Sequence, residues 1–141
     1  MVLGLNHMTL SVSDLDRAFR FYRDVLGMKP VARWCKGAYL TAGDLWFCLN
    51  LEIEFGERVP NPPYDHVAFS VDAEEFERLR GRLIDAGAGS WHENRSEGDS
   101  HYFLDPDGHK LEIHVGDLGS RVASLRAKPP RDLVVFEDTG R

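Results

Sequence analysis

Two histidines head two similar segments of this chain. His7 opens His7-Met8-Thr9-Leu10-Ser11-Val12, and 59 residues later His66 opens His66-Val67-Ala68-Phe69-Ser70-Val71. Imidazoles at equivalent positions of a duplicated unit could meet in one fold and ligate a metal. A third ligand is available near the end of the chain, where Lys110, Glu112 and His114 alternate with Leu111 and Ile113. A buried carboxylate is costly unless it is paired or metal-bound. Two imidazoles and one carboxylate hold a divalent ion from one side and leave positions open for substrate. A closed structural zinc site prefers four protein ligands, often cysteine. The open set His7, His66 and Glu112 suits Mn²⁺ or Fe²⁺, with Co²⁺, Ni²⁺ or Zn²⁺ as substitutes. His114 shares the Glu112 face and suits a supporting role. His109 falls in a turn and is expected in solvent, and His92 and His101 lack repeat partners.

Each ligand is carried by an element legible in the pattern. Leu5 to Val12 alternates as a strand, with His7, Thr9 and Ser11 on one face. Ser13 or Asp14 can cap a helix whose apolar face is Leu15, Ala18, Phe19, Tyr22, Val25 and Leu26. Gly27 and Pro30 stop that helix. Two strands follow, Ala38 to Thr41 and Leu45 to Leu51, turning at Gly43-Asp44. The segment Glu57 to Pro63, with three prolines, reads as a linker. The order then repeats: a strand from Asp65 to Val71, and a helix capped by Asp72 with Phe76, Leu79, Leu83 and Ala86 inward and Gly87 at its end. A short strand near Ser90 to His92, a polar loop Asn94 to Asp99, and a strand Ser100 to Leu104 come next. The turn Asp105-Pro106-Asp107-Gly108 and a strand Lys110 to Val115 complete the unit. A short helix over 117–127 and a loose or partner-bound tail from Lys128 end the chain. The expected fold is α+β: two tandem βαβββ modules whose sheets form a cup around the ligand. One domain is expected, with module 1 over 1–56, linker 57–63, module 2 over 64–116 and the C-terminal helix and tail over 117–141.

The bulk properties narrow the partners. A length of 141 residues suits a single domain, and a formal charge of −6 disfavours a nucleic-acid face. No apolar run approaches membrane length, and the N-terminal residues lack a signal-peptide pattern. The two cysteines, Cys35 and Cys48, are too few for a disulfide framework. A cytoplasmic protein with free thiols that fill core space is expected.

The chain resembles the vicinal oxygen chelate superfamily and, within it, the fosfomycin resistance glutathione transferases. The resemblance is carried by Gly4-Leu5-Asn6-His7-Met8-Thr9-Leu10, by Gly37-Ala38-Tyr39-Leu40 through Leu45-Trp46-Phe47-Cys48-Leu49, and by Asn94-Arg95-Ser96-Glu97-Gly98-Asp99-Ser100. Tyr102 through His109 and Leu111-Glu112 through Leu118 extend it. The resemblance implies a Mn²⁺ enzyme that opens the epoxide of fosfomycin by glutathione addition. It implies a homodimer with exchanged modules, in which His7, His66 and Glu112 ligate the metal from both chains. Asn94, Ser96, Gly98 and Ser100 would hold K⁺. Ser96, Tyr102, Tyr64 and Arg121 would contact the phosphonate, Thr9 would sit beside the reacting oxygen, and Trp46 and Tyr39 would wall the pocket.

Some positions depart from that family. His92 stands where a lysine is usual, a shorter side chain and only partly charged near neutral pH. In the thiol channel Trp34 and Arg95 match, whereas Lys36 and Asn50 replace a glutamine and a serine. A bacillithiol-using homologue is therefore an open alternative. The related hydrolase branch has a glutamate near Gly37, and no acid occurs there. An Fe²⁺ extradiol dioxygenase would use the same triad, but those chains are longer and lack the Arg95-Ser96-Glu97-Gly98 loop. A drug-binding module of this fold would usually lack the complete triad.

Overall fold

Alternating apolar residues, two capped helices and paired turns assemble into two small sheets around one core. The structure is a computed structural model and describes residues 5–52 and 64–136. The linker Glu57 to Pro63 lies outside the described residues.

The first unit comprises strand β1 (His7–Val12), helix α1 (Leu15–Arg20), and strands β2 (Lys29–Trp34), β3 (Gly37–Ala42) and β4 (Leu45–Leu51). Of the two candidate caps, Asp14 does the work, its carboxylate accepting from the Arg17 amide at 3.0 Å. Beyond Arg20 the helix widens into a π-helical turn over Phe21–Val25, closed by the Leu26 amide on the Phe21 carbonyl at 3.1 Å. Gly27, at φ +73, ends it.

Strand β2 was not expected, because Pro30 reads as a stop. Among the described residues it is an edge strand paired only with β3, with a register shift between Pro30 and Ala32. A proline fits there because no outer neighbour needs its missing N–H.

The second unit comprises strand β5 (Val67–Ser70), helix α2 (Ala73–Asp85), and strands β6 (Ser100–Leu104) and β7 (Lys110–His114). Asp72 occupies the cap position of α2 but its side chain makes no capping bond. The strand expected at Ser90 to His92 is reduced to one bridge between Ser90 and Phe103. Helix α3 (Leu118–Ala127) follows, with a reciprocal Asp117–Ser120 capping box.

The sheet orders are β1-β4-β3-β2 and β5-β7-β6, with β1 parallel to β4 and β5 parallel to β7. The duplication thus holds at the level of pairing: β5, β7 and β6 repeat β1, β4 and β3. The two units share one buried cluster, to which the first contributes Val12, Phe19, Tyr22, Leu40, Phe47 and Leu49. Phe76, Leu83, Phe103, Leu111 and Ile113 come from the second. A buried bond from the Tyr22 hydroxyl to Asp105 Oδ2, at 2.6 Å, ties α1's extension to the β6–β7 turn.

Candidate active site

Strand alternation gives each sheet one apolar and one polar face. In the first sheet the register aligns His7 with Trp46, Thr9 with Cys48, and Tyr39 with Cys48, so these residues share the face opposite the core. In the second, Ala68, Glu112 and Tyr102 are aligned, as are Ser70, His114 and Ser100. His66, just before β5, continues that alternation.

The second face holds the densest chemistry. Glu112 is only 5% exposed although it lies on the polar side. Its Oε1 lies 2.9 Å from His66 Nε2, and its Oε2 accepts from the Ser100 hydroxyl at 2.6 Å. His66 Nδ1 meets the Tyr64 carbonyl at 2.6 Å. Both nitrogens of His66 therefore face oxygen acceptors, whereas a neutral imidazole has one hydrogen to share between them. With Nδ1–H donating to the carbonyl, the Nε2 lone pair and the Glu112 carboxylate point at one another. That arrangement calls for a second proton or a cation at Nε2. A backbone carbonyl on the far nitrogen is the usual partner of a metal-ligating histidine.

Aromatic rings enclose this pair. Tyr64 lies 4.9 Å from His66 between centroids, and Trp91 lies 5.3 Å from it. Trp91 was missed in the sequence; it donates to the Leu111 carbonyl at 2.9 Å and pins the segment to β7. Its signal was an aromatic residue beside His92. His92 stacks edge-on to Tyr102 at 4.8 Å and to Tyr64 at 5.2 Å. Burial, foremost, and the bond with Tyr64 raise the Tyr102 hydroxyl above the usual phenol value, so it stays a donor at neutral pH.

The 94–100 loop is closed by Asn94, whose Nδ2 donates to the Gly98 carbonyl at 2.8 Å and whose Oδ1 accepts from the Ser96 amide at 3.0 Å. Arg121 reaches over from α3 to Ser96 Oγ at 3.4 Å and the Glu97 carbonyl at 3.3 Å, with its Nε 3.6 Å from Glu97 Oε2. Helix α3 is what brings Arg121 to this loop. Arg95 is exposed.

On the first face an aromatic strip runs Trp34–Tyr39–Trp46–His7, with centroid separations of 4.9, 5.2 and 4.6 Å. Thr9 is exposed beside it, His7 Nδ1 lies 2.7 Å from Asn6 Oδ1, and Asn50 donates to Glu52 at 2.8 Å. Lys36 is exposed at the β2–β3 turn. The strand pairing also shows that Cys48 occupies in the first unit the place of Glu112 in the second, since Thr9 pairs with Cys48 as Ala68 pairs with Glu112. The duplicated scaffold is thus asymmetric: one half supplies a carboxylate and the other a thiol.

The chain brings His66 and Glu112 together but leaves His7 on the other sheet. Among the described residues no three His, Cys, Asp or Glu side chains gather as a metal set within one chain. Two expectations are corrected. His109 does not sit in solvent: its side chain is 12% exposed and its Nδ1 lies 2.7 Å from Asp105 Oδ2, because the tight turn folds it back over that buried carboxylate. Cys35 does not fill core space but is exposed at a turn, whereas Cys48 is buried; both are free thiols. No helix among the described residues is long and apolar enough to cross a membrane.

The family model of the Glyoxalase/Bleomycin resistance protein/Dioxygenase superfamily matches residues 4–113. The chain is 51% identical over 140 residues to "Glutathione transferase FosA" of Serratia marcescens, covering 98% of this chain and 99% of that protein. It is 39% identical over 145 residues to "Metallothiol transferase FosB" of Shouchella clausii, covering 100% and 99%. Among solved structures, the Listeria monocytogenes fosfomycin resistance protein FosX in complex with Mn(II) and sulfate aligns at a TM-score of 0.72. That pair is 28% identical and the alignment covers 86% of this chain and 99% of that one. The chain therefore belongs to the glyoxalase, bleomycin resistance and dioxygenase superfamily, and within it to the family of the FosA and FosB thiol transferases.

Proposed function

We propose that this chain is a Mn²⁺- and K⁺-dependent transferase that inactivates fosfomycin by adding the thiol of glutathione to its epoxide. One observation carries the reading: His66 and the buried Glu112 form a two-ligand nucleus whose facing lone pairs fit a cation. The likeness to the Serratia glutathione transferase and to the Mn(II)-bound Listeria protein supports metal, drug and thiol together.

The remaining ligand, His7, would come from a second copy. A homodimer that sets the first-sheet face of one chain against the second-sheet face of the other completes the triad. The same pairing brings Thr9, Tyr39 and Trp46 over His66 and Glu112. Cys48 leaves the first half without a carboxylate, so a position stays open for substrate.

When bound, the divalent ion supplies a Lewis acid to the epoxide oxygen, which is otherwise a poor leaving group. The chain's own groups do the rest. Arg121, Ser96, Tyr102 and Tyr64 present donors for a phosphonate, and His92 extends that set when protonated. Asn94, Ser96, Gly98 and Ser100 present the oxygens a potassium ion prefers, and the Gly98 carbonyl keeps a lone pair beyond the one used by Asn94. Trp34, Lys36, Asn50 and Arg95 would receive the thiol. Trp46 and Tyr39 exclude water from the reacting carbon. Gly37 offers no carboxylate to activate water: a Cβ there would lie 2.8 Å from the Leu49 carbonyl and 2.9 Å from the Trp34 ring.

The test is direct. Pure protein is incubated with fosfomycin, Mn²⁺, K⁺ and either glutathione or bacillithiol, and products are read by mass spectrometry. A glutathione adduct that needs both ions is expected. An adduct with bacillithiol alone reassigns the thiol. No adduct with either thiol, together with oxygen uptake on catechols, would replace the proposal with ring cleavage.

A further inference from the structure

Glu112 is aimed by Ser100, and Ser100 in turn by His114, a side chain that the chemistry above does not use. Ser100 Oγ lies 2.6 Å from Glu112 Oε2 and also 2.7 Å from His114 Nδ1, with Ser100 and His114 paired across β6 and β7. A serine hydroxyl has a single hydrogen, and an ionised carboxylate only accepts. That hydrogen therefore goes to Glu112. The contact between Ser100 and His114 is then a bond only when Nδ1–H of the imidazole donates to the serine.

The backbone is shaped around this ring. A Cβ on Gly98 would lie 2.9 Å from His114 Cε1, and one on Gly116 would lie 3.0 Å from His114 Nε2. Both glycines have positive φ, +82 and +135, so conformation and space together exclude side chains there. Gly98 belongs to the 94–100 loop, and Gly116 leads into α3, which carries Arg121. The His114 side chain, 15% exposed, is thus clasped between the two segments that frame the site.

We propose that His114 is a positioning residue. Its Nδ1–H holds Ser100, so that the serine's only hydrogen holds Glu112 Oε2 and Oε1 stays directed at His66 and the metal position. One lone pair of Ser100 remains for a cation in the loop. The inference rests on the metal reading above, and its test separates the two.

The first arm needs no metal. Long-range ¹H–¹⁵N spectra are recorded on the full-length, metal-free chain with ¹⁵N-labelled histidine, and His114 is assigned by its loss in His114→Asn. Nδ1 is expected to carry a hydrogen; a bare Nδ1 overturns the proposal. The second arm is a Mn²⁺ titration followed by electron paramagnetic resonance. His114→Asn, whose amide can donate from the same place, is expected to bind within about threefold of the parent. His114→Leu is expected to bind about tenfold or more weakly, the usual scale for a group that orients a ligand. His114→Leu binding like the parent overturns the proposal. Should His114→Leu not fold, or should the parent itself bind no Mn²⁺, the spectral arm still decides the point; a parent that binds none counts against the metal reading alone.

Discussion

Replacing Tyr22 by phenylalanine should loosen the joint between the two units, and the size of the effect follows from the contacts. The Tyr22 hydroxyl is fully buried and donates to Asp105 Oδ2 at 2.6 Å. Asp105 is served by three further donors: His109 Nδ1 at 2.7 Å, the His109 amide at 2.8 Å and the Asp107 amide at 3.0 Å. Phenylalanine removes one hydrogen bond to a charged group and leaves no orphaned hydroxyl. Such a bond contributes about 1.5–3 kcal/mol. An unfolding entropy of roughly 2.1 cal/mol/K per residue gives roughly 0.3 kcal/mol/K for a chain of this length. The melting temperature should therefore fall by about 5–10 °C at pH 7.

The pH dependence gives a second check. Burial by itself would raise the Asp105 carboxyl, but the bonds from His109 and Tyr22 outweigh it and hold the group below its ordinary value. A depressed folded value means that the contribution is present above the unfolded carboxyl value, about 3.9, and is lost as pH falls through the folded one. The gap between parent and Tyr22→Phe should thus be widest near neutrality and narrow below about pH 4. Thermal melts followed by circular dichroism, at one fixed protein concentration because the melting of the proposed dimer would depend on it, measure both. A shift under about 1 °C at pH 7, or a gap that widens on acidification, would refute the reasoning.

Three other outcomes are expected. Glu112→Gln should weaken Mn²⁺ binding at least about tenfold, or about 1.4 kcal/mol, in a paramagnetic resonance titration, and an unchanged curve removes Glu112 from the ligand set. His92→Lys should raise kcat/KM for fosfomycin, since a lysine is charged throughout the neutral range; a flat result means Arg121, Ser96 and Tyr102 suffice for the phosphonate. Gly37→Ala should destabilise the fold by about 1–3 kcal/mol through overpacking against the Leu49 carbonyl and should alter Trp34 fluorescence. An unchanged melt would show that the first sheet yields there at little cost.

Much of this architecture was legible from one dimension. Period-two alternation placed His7 and Thr9 on one face of β1, and the helical stops at Gly27 and Gly87 mark real left-handed turns. These features are local, so short-range patterns encode them. Strand β2 escaped because Pro30 ends helices but is tolerated on a sheet edge, and which edge is free depends on partners far along the chain. His109 was misplaced for a similar reason: a turn residue is usually wet, yet this one has a buried carboxylate to cover.

By itself, the order of residues determined the duplicated unit, the two polar faces and the residue types able to bind a cation, because each follows from spacing along a strand or helix. The tertiary structure alone decided that Glu112 is buried and aimed by Ser100, that Trp91 packs against His66 and His92 against Tyr64 and Tyr102, that Cys48 stands as the counterpart of Glu112, and that His7 lies on a different sheet from Glu112. Those facts come from strand pairing and from the packing of both units on a common core, which join residues up to about a hundred positions apart and leave no periodic trace.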